Sequence, residues 1–326
     1  MLNLRLNKKS ILLVTSKKDL AADIIILELK KREASFLRLN SEDFPAKKYI
    51  SWSPELNSAI IYIEGEDIPF SIFRSVWYRR MVSPELPHYV NSRGLKNFIF
   101  KEVEAFLDGL WFTGEYFWIN RPSNIKIAEN KLIQLSVAKD IGFQIPKTVV
   151  TNNPQVVRQS LYTNFRTIAK AIASTKIEIN EDTWGVYTQE ISSNIICDNE
   201  IQISPIIIQE RIDKKAELRI TVVGNYLFAT EILLEGPENN KSDWHLVDNH
   251  FIAYRKHELP EKIANLCMLM ARKFGLIYAA LDFIITPKNE YVFLEINPSG
   301  QWGWIEKETG YPITNTLVDC LMLGEI

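Results

Sequence analysis

Short apolar runs, separated at regular intervals by turn residues, organise this chain. SILLVT (Ser10–Thr15) is an unbroken apolar strand. Asp19 is placed to cap a helix to about Glu33, apolar at Leu20, Ile24 and Leu27, and Phe36–Leu39 returns as a second strand. This β-α-β opening predicts a small parallel sheet. Ala59–Ile63 and Val76–Tyr78 add strands, and Gly94 to about Leu110 carries Leu95, Phe98, Val103, Phe106 and Leu110 at helical spacing. Arg121-Pro122-Ser123 interrupts the pattern. Ser123 is placed to cap a helix from Asn124 to about Asp140, and a domain boundary is expected near residue 120. Beyond it, Thr148–Val150, Ile168–Ala171, Gly185–Glu190 and Ile206–Gln209 read as strands, with a helix capped by Asn153. Leu218–Val223 and Leu227–Leu233 flank the turn pair Gly224-Asn225. Leu259 to about Phe274 is a helix with Pro260 in its first turn and Gly275 at its C-cap, and Pro312 to about Leu323 is another. The fold class expected is α/β (α+β).

One stretch breaks the apolar rule. In LDFIITPKNEYVFLEINPSGQW (Leu281–Trp302), Asp282, Glu295 and Asn297 sit inside apolar runs. Ala280–Ile285 and Tyr291–Ile296 are strands around the turn Pro287-Lys288-Asn289. A two-residue loop at Lys288-Asn289 sets Asp282 directly opposite Glu295, and Asn297 on the same side as Glu295. Facing carboxylates repel, more so when buried. A bound cation resolves the conflict, and two carboxylates plus an amide oxygen suit Mg²⁺ or Mn²⁺ rather than zinc. The bland alternative is a solvent-edge hairpin with incidental acids.

Composition narrows the classes. The chain has 326 residues, 46% hydrophobic and 24% charged, with net charge −2. That is a globular composition without the basic field of a nucleic-acid binder. Cys197, Cys267 and Cys320 are far apart, without a C-x-x-C, so a reducing cytoplasm is expected. His88, His245, His250 and His257 lack helical ligand spacing. No apolar run reaches membrane-span length and no signal peptide is read before Ser10. Neither a P-loop nor a G-x-G-x-x-G turn is present. Nucleotide, if bound, would lie between two sheets, its phosphates held by lysines and metal.

Lys131, then Lys170 at the end of FRTIAK, then IIIQERIDKKAELRI, then Asp282 with Glu295-x-Asn297 supply such a set in order. The order resembles the ATP-grasp ligases. VWYRRM (Val76–Met81), ENKLIQLSVAKDIGFQIPKTVVTNNP (Glu129–Pro154), QERIDKKAELRITVVG (Gln209–Gly224), SDW (Ser242–Trp244) and the acid-bearing hairpin together are more specific. They resemble the microviridin-type ATP-grasp peptide ligases, the graspetide synthetases, over nearly the whole chain.

The resemblance implies an ATP-grasp fold behind an N-terminal pre-ATP-grasp α/β domain (1–120). The ATP-grasp domain (121–326) would divide into a central lobe (121–205) and a C-terminal lobe with the metal site (206–326). The central lobe would hold a phosphate-covering loop near Ser174–Trp184 and a leader-binding hairpin. It implies Lys131 and Lys170 on the nucleotide phosphates, Gln209, Glu210 and Ile212 at the adenine edge, Glu217 on the ribose and Arg219 on the γ-phosphate. On spacing alone, Glu217 and Arg219 are equally an exposed strand pair, and each lysine a surface residue. Asp282, Glu295 and Asn297 would hold Mg²⁺, with Mn²⁺ as the other choice. Where many relatives read D-W-R, this chain reads Asp243-Trp244-His245, so His245 or the nearby Arg255 would take the acceptor carboxylate. Arg79, Arg80, Glu190 and Asp198 are the candidate substrate contacts, Arg79 and Arg80 equally a basic cluster at a strand end.

The implied activity uses ATP to phosphorylate Asp or Glu side chains of a ribosomally made precursor. These are then joined to Thr or Ser hydroxyls, or to Lys amines. The implied partner is a precursor with an N-terminal leader and a core rich in Thr, Ser, Glu and Asp. No nucleic acid or membrane is implied, and the enzyme would be a cytoplasmic homodimer. The alternatives are a ligase of the ribosomal-protein glutamate ligase or glutathione synthetase type, and a non-catalytic peptide-binding protein on the same fold.

Overall fold

The computed structural model describes residues 6–55, 58–161, 166–173, 176–179, 182–192, 197–234 and 252–326. The N-terminal strands Ser10–Thr15, Phe36–Asn40, Phe73–Tyr78 and Phe117–Ile119 form a wholly parallel four-stranded sheet. Parallel strands are buried on both faces, and alternation divides them here. Ile11, Leu13, Trp77 and Ile119 share one cluster with helix Leu20–Lys31. Leu12, Val14, Val76 and Trp118 share another with helix Arg93–Thr113 and the three-stranded sheet of Tyr49–Ser53, Ser58–Ile63 and Glu66–Pro69. The first cluster also takes in Val223, Phe228, Tyr278, Trp302 and the helix Ile313–Leu323, so one core is built from both ends of the chain.

Two antiparallel sheets follow. The central one orders Gln189–Ile191, Thr167–Lys170, Ile206–Glu210 and Thr148–Thr151. Ile206–Glu210 is therefore an inner strand of the central sheet, which extends past the lobe division expected at residue 205. The C-terminal sheet orders Ile252–Lys256, Tyr226–Leu234, Ala216–Val223, Tyr278–Ile285 and Tyr291–Asn297. One face buries Leu218, Ile220, Val222, Leu281 and Phe283 beneath helices Lys131–Ile141 and Glu261–Lys273. The other face carries the polar residues of the site.

Three expectations are corrected. The helix expected over 124–140 is two, Pro122–Ala128 and Lys131–Ile141. Asn130 caps the second, its side chain accepting from Leu132 and Ile133 N–H, while Arg121 rather than Ser123 is the first cap. Gly185–Glu190 is not one strand: Asp182–Gly185 pairs with Lys176–Ile179, and Gln189–Ile191 joins the central sheet. The acid-bearing hairpin turns through three residues, not two. Pro287 starts a turn in which Asn289 N–H donates to Thr286 O (2.8 Å), and Asn289 adopts φ +60°.

Candidate active site

That third loop residue shifts the register near the turn, where Ile285 pairs with Tyr291 and Phe283 with Phe293. A bulge then leaves Leu294 without an opposite partner, and Asp282 pairs with Glu295 after all. Glu295 and Asn297 thus point to the polar face. The neighbouring strand sets Arg219 against Asp282 on its other side. Arg219 Nε and Nη2 donate to the two Asp282 oxygens at 2.5 and 3.2 Å. Burial opposes the Arg219 charge, but Asp282 and Glu295 outweigh it and hold the guanidinium above its ordinary value. The guanidinium also sits 5.9 Å from the centre of the Trp304 ring. Trp304 lies on Gly303–Thr309, a helix not read from the sequence.

Between this face and the central sheet lies a cleft of about 890 Å³. Lys131, Lys170, Gln209, Glu210, Ile212, Glu217, Asp282, Glu295 and Asn297 all line it. Lys131 Nζ is 3.9 Å from Glu295 and donates to Ala171 O. Lys170 ends the strand Thr167–Lys170. Gln209 is only 3% exposed; its amide nitrogen donates to Thr148, and its buried oxygen has no partner among the described residues. Glu210 N–H donates to Lys147 O, and Glu217 accepts from Lys214 at 2.6 Å. Five basic and six acidic side chains line the walls. Alone, that balance does not neutralise a triphosphate; a divalent cation offsets part of its charge. Asp282, Glu295 and Asn297 fit one. They are hard oxygen donors on one face, and Asn297 Oδ1 spends one lone pair on Ser299 N–H (2.9 Å), keeping the other. Among the described residues no three His, Cys, Asp or Glu side chains converge, so two carboxylates and an amide are the whole donor set.

Two family models match the chain: the MvdD pre-ATP grasp domain over residues 10–126 and the RimK-like ATP-grasp domain over 128–321. The chain belongs to the RimK-like ATP-grasp family. Its fold is ATP-grasp behind a pre-ATP-grasp domain, as the resemblance implied. A RiPP-associated ATP-grasp ligase from Chryseobacterium gregarium, solved with ADP and a leader and core peptide, is 26% identical (TM-score 0.85; 96% of each chain covered). The macrocyclase MdnC from Microcystis aeruginosa MRC, solved with precursor peptide MdnA, is 25% identical (TM-score 0.84; 96% of this chain and 99% of that one). The macrocyclase MdnB from the same organism is 27% identical (TM-score 0.79; 96% and 98%). No curated protein sequence matches.

The other candidate residues of this ATP-grasp enzyme are scattered. Arg79 is 2% exposed. Its Nε lies 2.9 Å from Asp19, its Nη atoms donate to Ser299 O (3.1 Å) and Gly300 O (3.4 Å), and its guanidinium lies 5.4 and 5.2 Å from the centres of the Trp77 and Trp302 rings. It joins the pre-ATP-grasp sheet to the loop after Asn297 and is enclosed away from any substrate. Gly300 is required there, because a Cβ would stand 2.5 Å from Ala280 Cβ and close to Arg219 and Asn297. Arg80 is exposed, at φ +49°. Arg255 pairs with Glu231, and so projects opposite to the Arg219–Asp282 row. Lys256 pairs with Thr230 and continues that row. Glu190 is held by Arg166 through two 2.7 Å bonds, which keep its carboxyl below the ordinary range. Asp198 pairs with Arg158. Asp243 and His245 lie outside the described residues.

Proposed function

We propose that this protein is an ATP-dependent peptide macrocyclase. It transfers the γ-phosphoryl group of ATP to an Asp or Glu side chain of a precursor peptide. The resulting acyl phosphate is joined to a Thr or Ser hydroxyl, or a Lys amine, of the same peptide, releasing ADP and phosphate. One observation carries this reading. The cleft sets Lys131 and Lys170 against Asp282 and Glu295, with Arg219 buried beside Asp282, in a chain matched over 96% of its length by enzymes solved with precursor peptides.

A carboxylate is a poor electrophile and repels the triphosphate. Lys131, Lys170 and Arg219 supply fixed positive charge where both anions meet. Bound Mg²⁺, or Mn²⁺, on Asp282, Glu295 and Asn297 would draw charge from the transferring phosphoryl group. The Gln209 oxygen is a free acceptor at the inner wall, suited to an adenine amino group, and Glu217 suits a ribose hydroxyl. Because electrophile and nucleophile belong to one peptide, holding them together makes the attack effectively unimolecular, worth up to about 7–11 kcal/mol. Among the described residues no helix is long and apolar enough to cross a membrane; the widely spaced cysteines favour a reducing, cytoplasmic setting. Exposed Leu95 and Phe98 on the long helix offer a face for a homodimer, which sedimentation would reveal.

The test is incubation with ATP, Mg²⁺ and a leader–core peptide rich in Thr, Ser, Glu and Asp. Loss of one water mass per cross-link, in step with ADP, is expected. The RimK-like match supports one other reading, addition of an amino acid to a carboxylate, which would appear as a mass gain when free amino acids are supplied.

A further inference from the structure

The break between the helices Pro122–Ala128 and Lys131–Ile141 leaves Glu129 at an exposed corner of the chain. Glu129 is the one described residue that lines both the nucleotide cleft and a second cavity of about 800 Å³. Helix Arg93–Thr113, the chain from Tyr78 to Pro84 and Ser299 wall the second cavity. The two spaces adjoin, since Pro298 lines one and Ser299 the other. A peptide segment in the second cavity therefore reaches the metal end of the cleft past Glu129.

The chemistry of the corner is specific. In the cleft, Asp282, Glu295 and Glu217 each face a basic partner. Among the described residues the Glu129 carboxylate makes no hydrogen bond or ion pair. Although Glu129 is exposed, partial desolvation by its neighbours raises its carboxyl above the usual range, which makes it a better proton acceptor. The other ionisable groups of the second cavity are less suited. The Tyr78 phenol is pushed up to about 12, burial being the first cause. Glu104 and Asp108 line the second cavity but not the cleft.

We propose that Glu129 is the general base of the joining step; this rests on the peptide-ligase reading above. As the hydroxyl or the neutral amine attacks, its proton passes to the Glu129 carboxylate and a bond forms to the acyl carbon. The bond from that carbon to the phosphate oxygen breaks, and phosphate departs with the electron pair. Glu129 returns the proton to solvent as product leaves.

The test compares wild type, Glu129→Gln and Glu129→Asp with ATP, Mg²⁺ and a leader–core peptide, in the presence of hydroxylamine. Hydroxylamine captures the acyl phosphate as a hydroxamate, and mass spectrometry counts hydroxamates and cross-links. In Glu129→Gln the ratio of hydroxamate to cross-link should rise at least about 100-fold, the contribution of a positioned base. Glu129→Asp should recover part of the joining rate. A wild-type ratio in Glu129→Gln overturns the assignment, as does an equal fall of hydroxamate and cross-link, which would place Glu129 in the first step or in seating the peptide. A wild-type enzyme giving neither cross-link nor peptide-dependent hydroxamate overturns the ligase reading, and this assignment with it.

Discussion

Replacing Arg79 by methionine tests whether the guanidinium ties the N-terminal sheet to the metal end of the site. Methionine keeps an unbranched apolar stem beside Trp77 and Trp302 and removes only the fork and its charge. The cost comes mainly from Asp19, whose side chain is fully enclosed and keeps only Thr15 Oγ1 (2.8 Å) and Ala21 N–H (3.2 Å). Stranding one partner of a buried ion pair costs about 3–5 kcal/mol. At about 2.1 cal/mol/K per residue over 326 residues, the unfolding entropy is about 0.7 kcal/mol/K. A loss of about 4 kcal/mol therefore lowers Tm by roughly 6 °C. Asp19→Asn removes the stranded charge and retains an N-cap side chain for the first helix. The Asp19→Asn/Arg79→Met double variant should therefore recover at least half the loss. Urea and thermal unfolding of the four proteins by circular dichroism close the cycle. A loss below about 1 kcal/mol in Arg79→Met, or strict additivity in the double variant, refutes the reasoning.

The remaining predictions concern the site. Asp282→Ala and Glu295→Ala should each cut ADP release at least about 100-fold with unchanged circular dichroism; near-normal turnover in either would remove the metal assignment. Gly300→Ala should cost about 1–3 kcal/mol by overpacking, because its Cβ would lie 2.5 Å from Ala280 Cβ; an unshifted urea midpoint would contradict that close approach. Lys256→Ala should raise the peptide KM about tenfold, equivalent to about 1.4 kcal/mol, while Arg255→Ala changes it less than twofold. The reverse order would mean that the masking of Arg255 by the sheet is not what governs acceptor binding.

Much of the site's geometry was legible because strands alternate. Glu295 and Asn297, two residues apart on one strand, had to share a face. The facing of Asp282 and Glu295 emerged from a wrong premise, since the longer loop and the Leu294 bulge cancel. A bulge leaves no mark in an apolar run, so its position was invisible. The role of Arg79 was equally hidden: a strand-end Tyr-Arg-Arg reads as a basic surface, and charge says nothing of depth. The break at Glu129-Asn130 carries no glycine or proline, and the apolar stripe of Leu132, Val137 and Ile141 follows without a gap. Ile252–Lys256 and the helix bearing Trp304 are too short to stand out, so neither the side to which Arg255 projects nor the place of Trp304 beside Arg219 was visible.

The core shared by the two ends of the chain imposes an order on biosynthesis. Helix Ile313–Leu323 covers Ile25 and Leu29 of helix Leu20–Lys31, and Ser75 Oγ donates to Leu321 O across the same contact. About 280 residues separate the two helices, which a ribosome adds in roughly 14–56 s at about 5–20 residues per second. For that interval the nascent sheet has an apolar flank with nothing to close it, so the N-terminal region waits, half-dressed, for its last helix. Chains ended before Ile313 should be cut by protease within Leu20–Lys31, and chains carrying residues 313–323 should resist.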